Sequence, residues 1–87
     1  MPQNKRDFSH YRERMDEAVR SAATQMREKR YYLLKGSFSH VQGMLESLEK
    51  HGMDAESVMA YKRLMNRIYD RNPEKCAELG LKRYPTD

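Results

Sequence analysis

Apolar residues recur at helical spacing through the first part of the chain, from Phe8 to Leu33. Successive members are three, four or seven residues apart, which places their side chains along one face of an α-helix. The members of this stripe are Phe8, Tyr11, Met15, Val19, Ala22, Met26 and Leu33. Because residues 9–35 contain neither glycine nor proline, we predict one long helix over this range, roughly 40 Å in length. Asp7 or Ser9 would cap it and Gly36 would end it.

A second amphipathic helix is predicted to begin at Ser39, which matches a capping box with Gln42. Its apolar stripe consists of Val41, Met44, Leu45 and Leu48. Gly43 lies inside this helix, where glycine costs about 1 kcal/mol relative to alanine. We interpret Gly43 as a position of close packing against the first helix. His51 and Gly52 end the second helix.

Two more helices are predicted in the last third of the chain. Asp54 is a suitable cap for a third helix over residues 55–71. Its apolar stripe consists of Val58, Tyr61, Leu64, Met65 and Ile68. Asn72 followed by proline is the pattern of another helix start, so a short fourth helix is predicted over residues 73–79, closed by Gly80.

These elements define an all-α fold, because no stretch alternates between apolar and polar residues as a strand would. Short connections place consecutive helices side by side, as an antiparallel three-helix bundle with a long first helix and a short fourth, C-terminal helix. All 87 residues are expected to form a single domain, with a flexible lead over residues 1–6 and a loose tail over residues 82–87. The predicted core contains Met15, Val19, Met26, Leu45, Leu48, Leu64 and Ile68.

Positive charge is unevenly distributed along the chain. In total, 17 Lys and Arg face 13 Asp and Glu, a net charge of +4. Residues 1–35 carry nine basic against five acidic side chains, and residues 55–72 carry four against two. Residues 36–54, by contrast, carry one against three. The first and third predicted helices are therefore basic, which indicates an acidic partner.

The sequence has no pattern typical of secretion or of membrane insertion. No apolar run follows the charged start, and the longest strongly apolar run, residues 31–34, is far too short to span a bilayer. Cys76 is the only cysteine, so no internal disulfide can form. We expect a cytoplasmic protein that makes no contact with a membrane. Because a core of this size is small, a partner or a homodimer would add stability.

The residue types that carry most enzyme chemistry are scattered. His10, His40 and His51 show no metal-ligand spacing, and a metal site needs three or four converging ligands. Cys76 has no neighbouring base to activate it, so we interpret it as a structural residue. Acidic side chains lie along the predicted helix faces without forming an evident acid–base pair. We expect neither enzymatic activity nor a metal or cofactor.

Two basic features are candidate binding sites. The first combines four cations with two tyrosines at the end of the first predicted helix: Arg27, Lys29, Arg30, Tyr31, Tyr32 and Lys35. Such side chains suit phosphate contact and base stacking as well as a protein hot spot, although cations also favour a helix C-terminus on electrostatic grounds alone. The second is a line of arginines on the third helix with two flanking residues: Arg63, Arg67, Arg71, Lys62 and Asn66. Like charges four residues apart repel on a helix, so this line indicates a function, unless acids or solvent offset it.

The second and third predicted helices also fit a helix-turn-helix pattern, with Gly52 in the turn. Asp54 and Glu56 argue against recognition of DNA by the third helix. The N-terminal residues of a recognition helix lie close to the DNA, so these two carboxylates would face its phosphates and be repelled.

The expected function is therefore binding. We expect a small basic interaction module, an adaptor or an inhibitor, that contacts an acidic patch on a larger protein. Compact basic chains of this kind are common among phage and mobile-element proteins that modulate host machinery, and the analogy extends the expectation to such a role. The alternative is direct, largely sequence-nonspecific nucleic-acid binding by the same arginines.

Overall fold

A computed structural model of the chain describes residues 8–86, which form four helices and no strand. The helices are α1 (Ser9–Arg27), α2 (Tyr31–Lys50), α3 (Ala55–Tyr69) and α4 (Pro73–Glu78). The predicted all-α fold is confirmed: α1, α2 and α3 pack against one another, and the short α4 follows α3. The lead expected over residues 1–6 and the alternative cap Asp7 lie outside the described residues, as does Asp87.

Contacts between α1 and α3 fix the direction of the helices. The guanidinium of Arg12 donates to Ser57 Oγ at 3.1 Å, and the Tyr61 hydroxyl donates to Asp16 Oδ1 at 3.3 Å. These contacts advance in the same direction along both helices, so α1 and α3 run parallel. Because short connections join α2 to each of them, α2 runs antiparallel to both.

The single long helix predicted over residues 9–35 is wrong, because the chain reverses at Lys29. This residue adopts φ 59°, in the left-handed region. The backbone N–H of Arg30 donates to the carbonyl of Gln25 at 2.8 Å, and that of Lys29 donates to the carbonyl of Met26 at 3.1 Å. These two bonds form a Schellman motif, which ends most naturally in glycine but here uses a lysine.

Helix α2 continues through the positions at which the sequence predicted a break. Gly36 does not end a helix, and Ser39 and Gln42 do not form a capping box, because all three lie inside α2. Its buried face explains this continuity: Leu34, Phe38, Val41, Leu45 and Leu48 follow one another at steps of three or four residues. Burial of this face outweighs the low helix propensity of glycine. Close packing at Gly43 is also wrong, since a Cβ there would meet nothing within 4 Å.

The predicted starts of α3 and α4 are confirmed. Asp54 caps α3 by accepting from the backbone N–H of Ser57 at 2.8 Å, and Asn72 caps α4 by accepting from that of Lys75 at 3.2 Å. Hydrogen bonds from the backbone and side chain of Ser57 hold the pKa of the Asp54 carboxyl below its usual value, and the charge of Arg12 makes the smallest contribution. Helix α3 ends at Tyr69, two residues earlier than predicted, and α4 ends at Glu78.

The core contains most of the residues that the sequence assigned to it. Met15, Met26, Leu45, Leu48 and Ile68 are all at least 95% buried. Two assignments differ. Val19 is only half-buried, and Leu64 is 38% exposed. Leu64 precedes the fully buried Met65, and a helix turns about 100° per residue, so Leu64 lies at the rim of the buried face of α3.

The chain after α4 is attached to α3, which differs from the loose tail expected over residues 82–87. Asn66 is 96% buried, and its side-chain amide pairs with the backbone of Tyr84 in both directions: it accepts from the N–H at 2.8 Å and donates to the carbonyl at 2.9 Å. Arg83 forms a bidentate ion pair with Asp70, with both distances 2.9 Å. Burial, followed in effect by the charge of Glu46, raises the pKa of the Tyr84 hydroxyl.

Candidate interaction surface

The arginines predicted to form a binding line lie on the outer side of α3. Arg63 and Arg67 are both exposed and are one helical turn apart. Arg71 is also exposed, but it lies in the turn between α3 and α4, because α3 ends at Tyr69. The predicted line of three is therefore two residues on the helix and one beyond its end. Lys62, which flanks it, is half-buried.

Asn66 does not belong to this surface. The sequence grouped it with the arginines, whereas the structure buries it and uses its amide to hold the chain at Tyr84. No local pattern could have identified this role, because its partner lies 18 residues further along the chain.

Carboxylate pairing divides the arginines of the described chain into two groups. Arg12 pairs with Asp54 at 3.4 Å, Arg30 with Glu28 at 3.1 Å and Arg83 with Asp70 at 2.9 Å. The other six arginines have no ion pair within residues 8–86: Arg14, Arg20 and Arg27 on α1, and Arg63, Arg67 and Arg71 on α3 or in the turn after it. The guanidiniums of Arg63, Arg67 and Arg71 are therefore not paired with a carboxylate of the described residues.

The second predicted feature forms a basic tip at the reversal between α1 and α2. Arg27 is the last residue of α1 and donates to Thr24 Oγ1 at 3.4 Å, while Arg30 pairs with Glu28 and Lys35 is exposed on α2. Tyr31 is half-buried, whereas Tyr32 is 91% exposed. The tip thus offers one solvated aromatic ring among cations.

Contacts at one end of the bundle bring the two basic features together. The side chain of Asn72 donates to the hydroxyl of Tyr31 at 3.3 Å, and the ammonium of Lys75 lies 5.2 Å from the centre of the Tyr31 ring. Since Arg71 precedes Asn72 and Arg30 precedes Tyr31, the turn after α3 meets the tip. Tyr31 and Asn72 are 41 residues apart in the sequence, so only the fold reveals that the two features are close.

A shallow groove of about 340 Å³ runs between α1 and α3. Its lining residues are Asp16, Val19, Arg20, Ala23 and Leu64. The lining is mostly apolar, and Leu64 is the most exposed of its aliphatic members. We call this feature the α1–α3 groove. Helical periodicity in the sequence assigns Val19 and Leu64 to the core and therefore gives no sign of this groove.

No metal-binding cluster is found in the part of the chain that the structure describes. Across residues 8–86 no three His, Cys, Asp or Glu side chains converge as metal ligands would. Cys76 is fully buried, and this burial, with a smaller effect from Asp70, raises the pKa of its thiol and keeps it in the unreactive protonated form. Over the same residues, every helix is too short or too polar to cross a membrane.

Comparisons of the chain with protein-family models, with curated proteins and with solved structures found no match.

Proposed function

We propose that the protein is a non-enzymatic interaction module, an adaptor or an inhibitor, that binds an acidic surface of a larger protein through the outer side of α3. The observation that carries this proposal is that three exposed arginines without a carboxylate partner among residues 8–86 follow one another at four-residue spacing along α3 and the turn after it. Arg12, Arg30 and Arg83 have carboxylate partners, whereas Arg63, Arg67 and Arg71 have none within the described chain.

Physical chemistry supports a role for these unpaired guanidiniums. Arginine forms bidentate hydrogen bonds with carboxylates, and it is enriched in the energetic centres of protein interfaces. Two like charges one turn apart reduce helix stability slightly, and a partner's acidic patch would remove this penalty. We further propose a cytoplasmic location, which the single, unpaired Cys76 supports.

Nucleic-acid binding is the second candidate, and one observation favours it. Tyr32 is 91% exposed at the basic tip, beside Arg30 and near Arg27 and Lys35. Exposed aromatic rings among cations suit the stacking of single-stranded bases next to phosphates.

Charge reversal on α3 tests the first candidate. The double variant Arg63→Glu/Arg67→Glu should fold with nearly unchanged helicity, because both side chains are exposed, and should lose the partner. Arg63→Lys/Arg67→Lys should retain charge but lose part of the affinity, since lysine cannot bind bidentately. The measurement is capture from native lysate followed by mass spectrometry and by titration with the purified partner.

A matched control distinguishes an effect of the α3 arginines from an effect of the change in net charge. Arg14→Glu/Lys50→Glu changes the net charge by the same amount at two exposed positions away from α3, and it should bind like the original protein. Equal capture by both double-glutamate variants would show that the α3 arginines are an ordinary solvated face. A gel shift with single-stranded DNA that is lost in Tyr32→Ala would favour the second candidate instead.

A further inference from the structure

We infer that the α1–α3 groove is the docking site for an acidic amphipathic helix of the partner. This inference rests on the proposed function and adds the kind of structure that the partner presents. It starts from Leu64, which is 38% exposed in a groove whose other aliphatic residues, Val19 and Ala23, are half-buried. A second apolar side chain laid on Leu64 would remove its exposed surface from water.

The charges around the groove determine which sign of charge the occupant should carry. On the α1 side the groove is lined by Asp16, whose carboxylate accepts from the Tyr61 hydroxyl, and by Arg20. On α3, Arg63 precedes Leu64 and Arg67 follows it by three residues. None of the three arginines has an ion pair within residues 8–86. An apolar strip bordered by free guanidiniums is complementary to an apolar stripe bordered by carboxylates.

The shape of the groove favours a helix as the occupant. Its lining on α1 comes from positions 16, 19, 20 and 23, which follow the helical repeat over about two turns. A helix that follows this strip of α1 also contacts Leu64, which lines the groove from α3. Recognition of this kind uses apolar anchors at spacings of three and four residues on the incoming helix.

Electrostatics argue against a second copy of this chain as the occupant. In a symmetric dimer the same surface is used by both copies. Arg20, Arg63 and Arg67 of one copy would therefore face the same arginines of the other, and this repulsion disfavours self-association through the groove.

Two synthetic peptides test the inference by fluorescence anisotropy. Each has about 18 residues, enough for five helical turns, with identical leucine and glutamate content. One places the leucines at helical spacing and the other scrambles them. The ordered peptide should bind at least about tenfold tighter than the scrambled one. Leu64→Gln should abolish this difference while leaving the weak, charge-driven binding of both peptides.

Leu33→Gln is the matched control, because Leu33 is 48% exposed and lies between α1 and α2 instead. It should bind both peptides like the original protein. Mapping of amide shifts by NMR on the original protein makes the test independent of how the variants fold. The largest shifts on adding the ordered peptide should fall at Val19, Ala23 and Leu64.

The outcomes separate this inference from the proposed function. Equal affinity for both peptides, no binding of either, or shifts confined to another face would overturn the groove inference. So would a concentration-dependent dimer that Leu64→Gln dissociates, because a second copy would then be the occupant. Capture of the native partner would still be lost in Arg63→Glu/Arg67→Glu if the proposed function holds. If that variant kept its partner, the proposed function would fail.

Discussion

Lys29 determines where the first two helices separate, although nothing in its side chain marks it for that position. A left-handed conformation costs a residue with a Cβ roughly 1–2 kcal/mol, and Lys29 accepts this cost at φ 59°. The benefit comes from residues on either side: Met26 and Leu34 are both buried in the core, and a straight helix would carry them past it. The reversal is therefore imposed by tertiary packing.

Replacing Lys29 by glycine should stabilise the protein. Glycine adopts the left-handed region without steric penalty, so Lys29→Gly should raise the free energy of unfolding by about 1 kcal/mol. Urea denaturation followed by circular dichroism measures the change. Lys29→Ala is the matched control, since it removes the same charge but keeps a Cβ and should show no such gain. Equal behaviour of the two variants would contradict a strained backbone at this position.

The element that most departs from the sequence prediction is α2. Its start is obscured because the stretch before it has unbroken helical periodicity, and its interior contains Gly36 and Gly43, which locally indicate an end or a close contact. Ser39 and Gln42 match a capping box by spacing, but such a pattern can occur anywhere on a polar helix face. The starts of α3 and α4 were predictable because Asp54 and Asn72 act through backbone groups three residues away.

Alanine at Gly36 or Gly43 should stabilise α2. Both positions are exposed inside the helix, and a Cβ there meets nothing within 4 Å. Each substitution should therefore add about 0.5–1 kcal/mol to the free energy of unfolding. Gly52→Ala should instead destabilise the protein, because Gly52 ends α2 at φ 97°. Thermal melts of the three variants provide the comparison, and a loss of stability in Gly36→Ala would show that α2 needs a glycine there.

At the scale of the whole molecule, stability depends on the side chains that α1, α2 and α3 bury against one another. Leu48 is 4% exposed, so Leu48→Ala should cost about 2–5 kcal/mol, a large share of the stability of a small domain. Leu33→Ala removes the same atoms from a side chain that is 48% exposed and should cost far less. Chemical denaturation of both variants measures the difference. An unchanged midpoint for Leu48→Ala would contradict the described packing.

The fold class and most of the core could be predicted because helical periodicity is local information. The proposed interaction surface, by contrast, could be recognised only once the fold was known. The exposure of Leu64 results from its position at the rim of the buried face of α3, and the proximity of Arg71 to the basic tip results from the contact between Asn72 and Tyr31. The burial of Asn66 requires a segment that is distant in sequence. None of these contacts produces a periodic pattern in the amino-acid sequence.

The pairing of Asn66 with Tyr84 has a consequence for hydrogen exchange. The Tyr84 amide lies outside every helix, where amides commonly exchange with deuterium at nearly the rate of an unfolded chain. Here it donates to a buried side chain at 2.8 Å, so it exchanges only when the segment after α4 detaches from α3. Its protection factor therefore measures the free energy of that detachment directly, separately from the unfolding of the three-helix core.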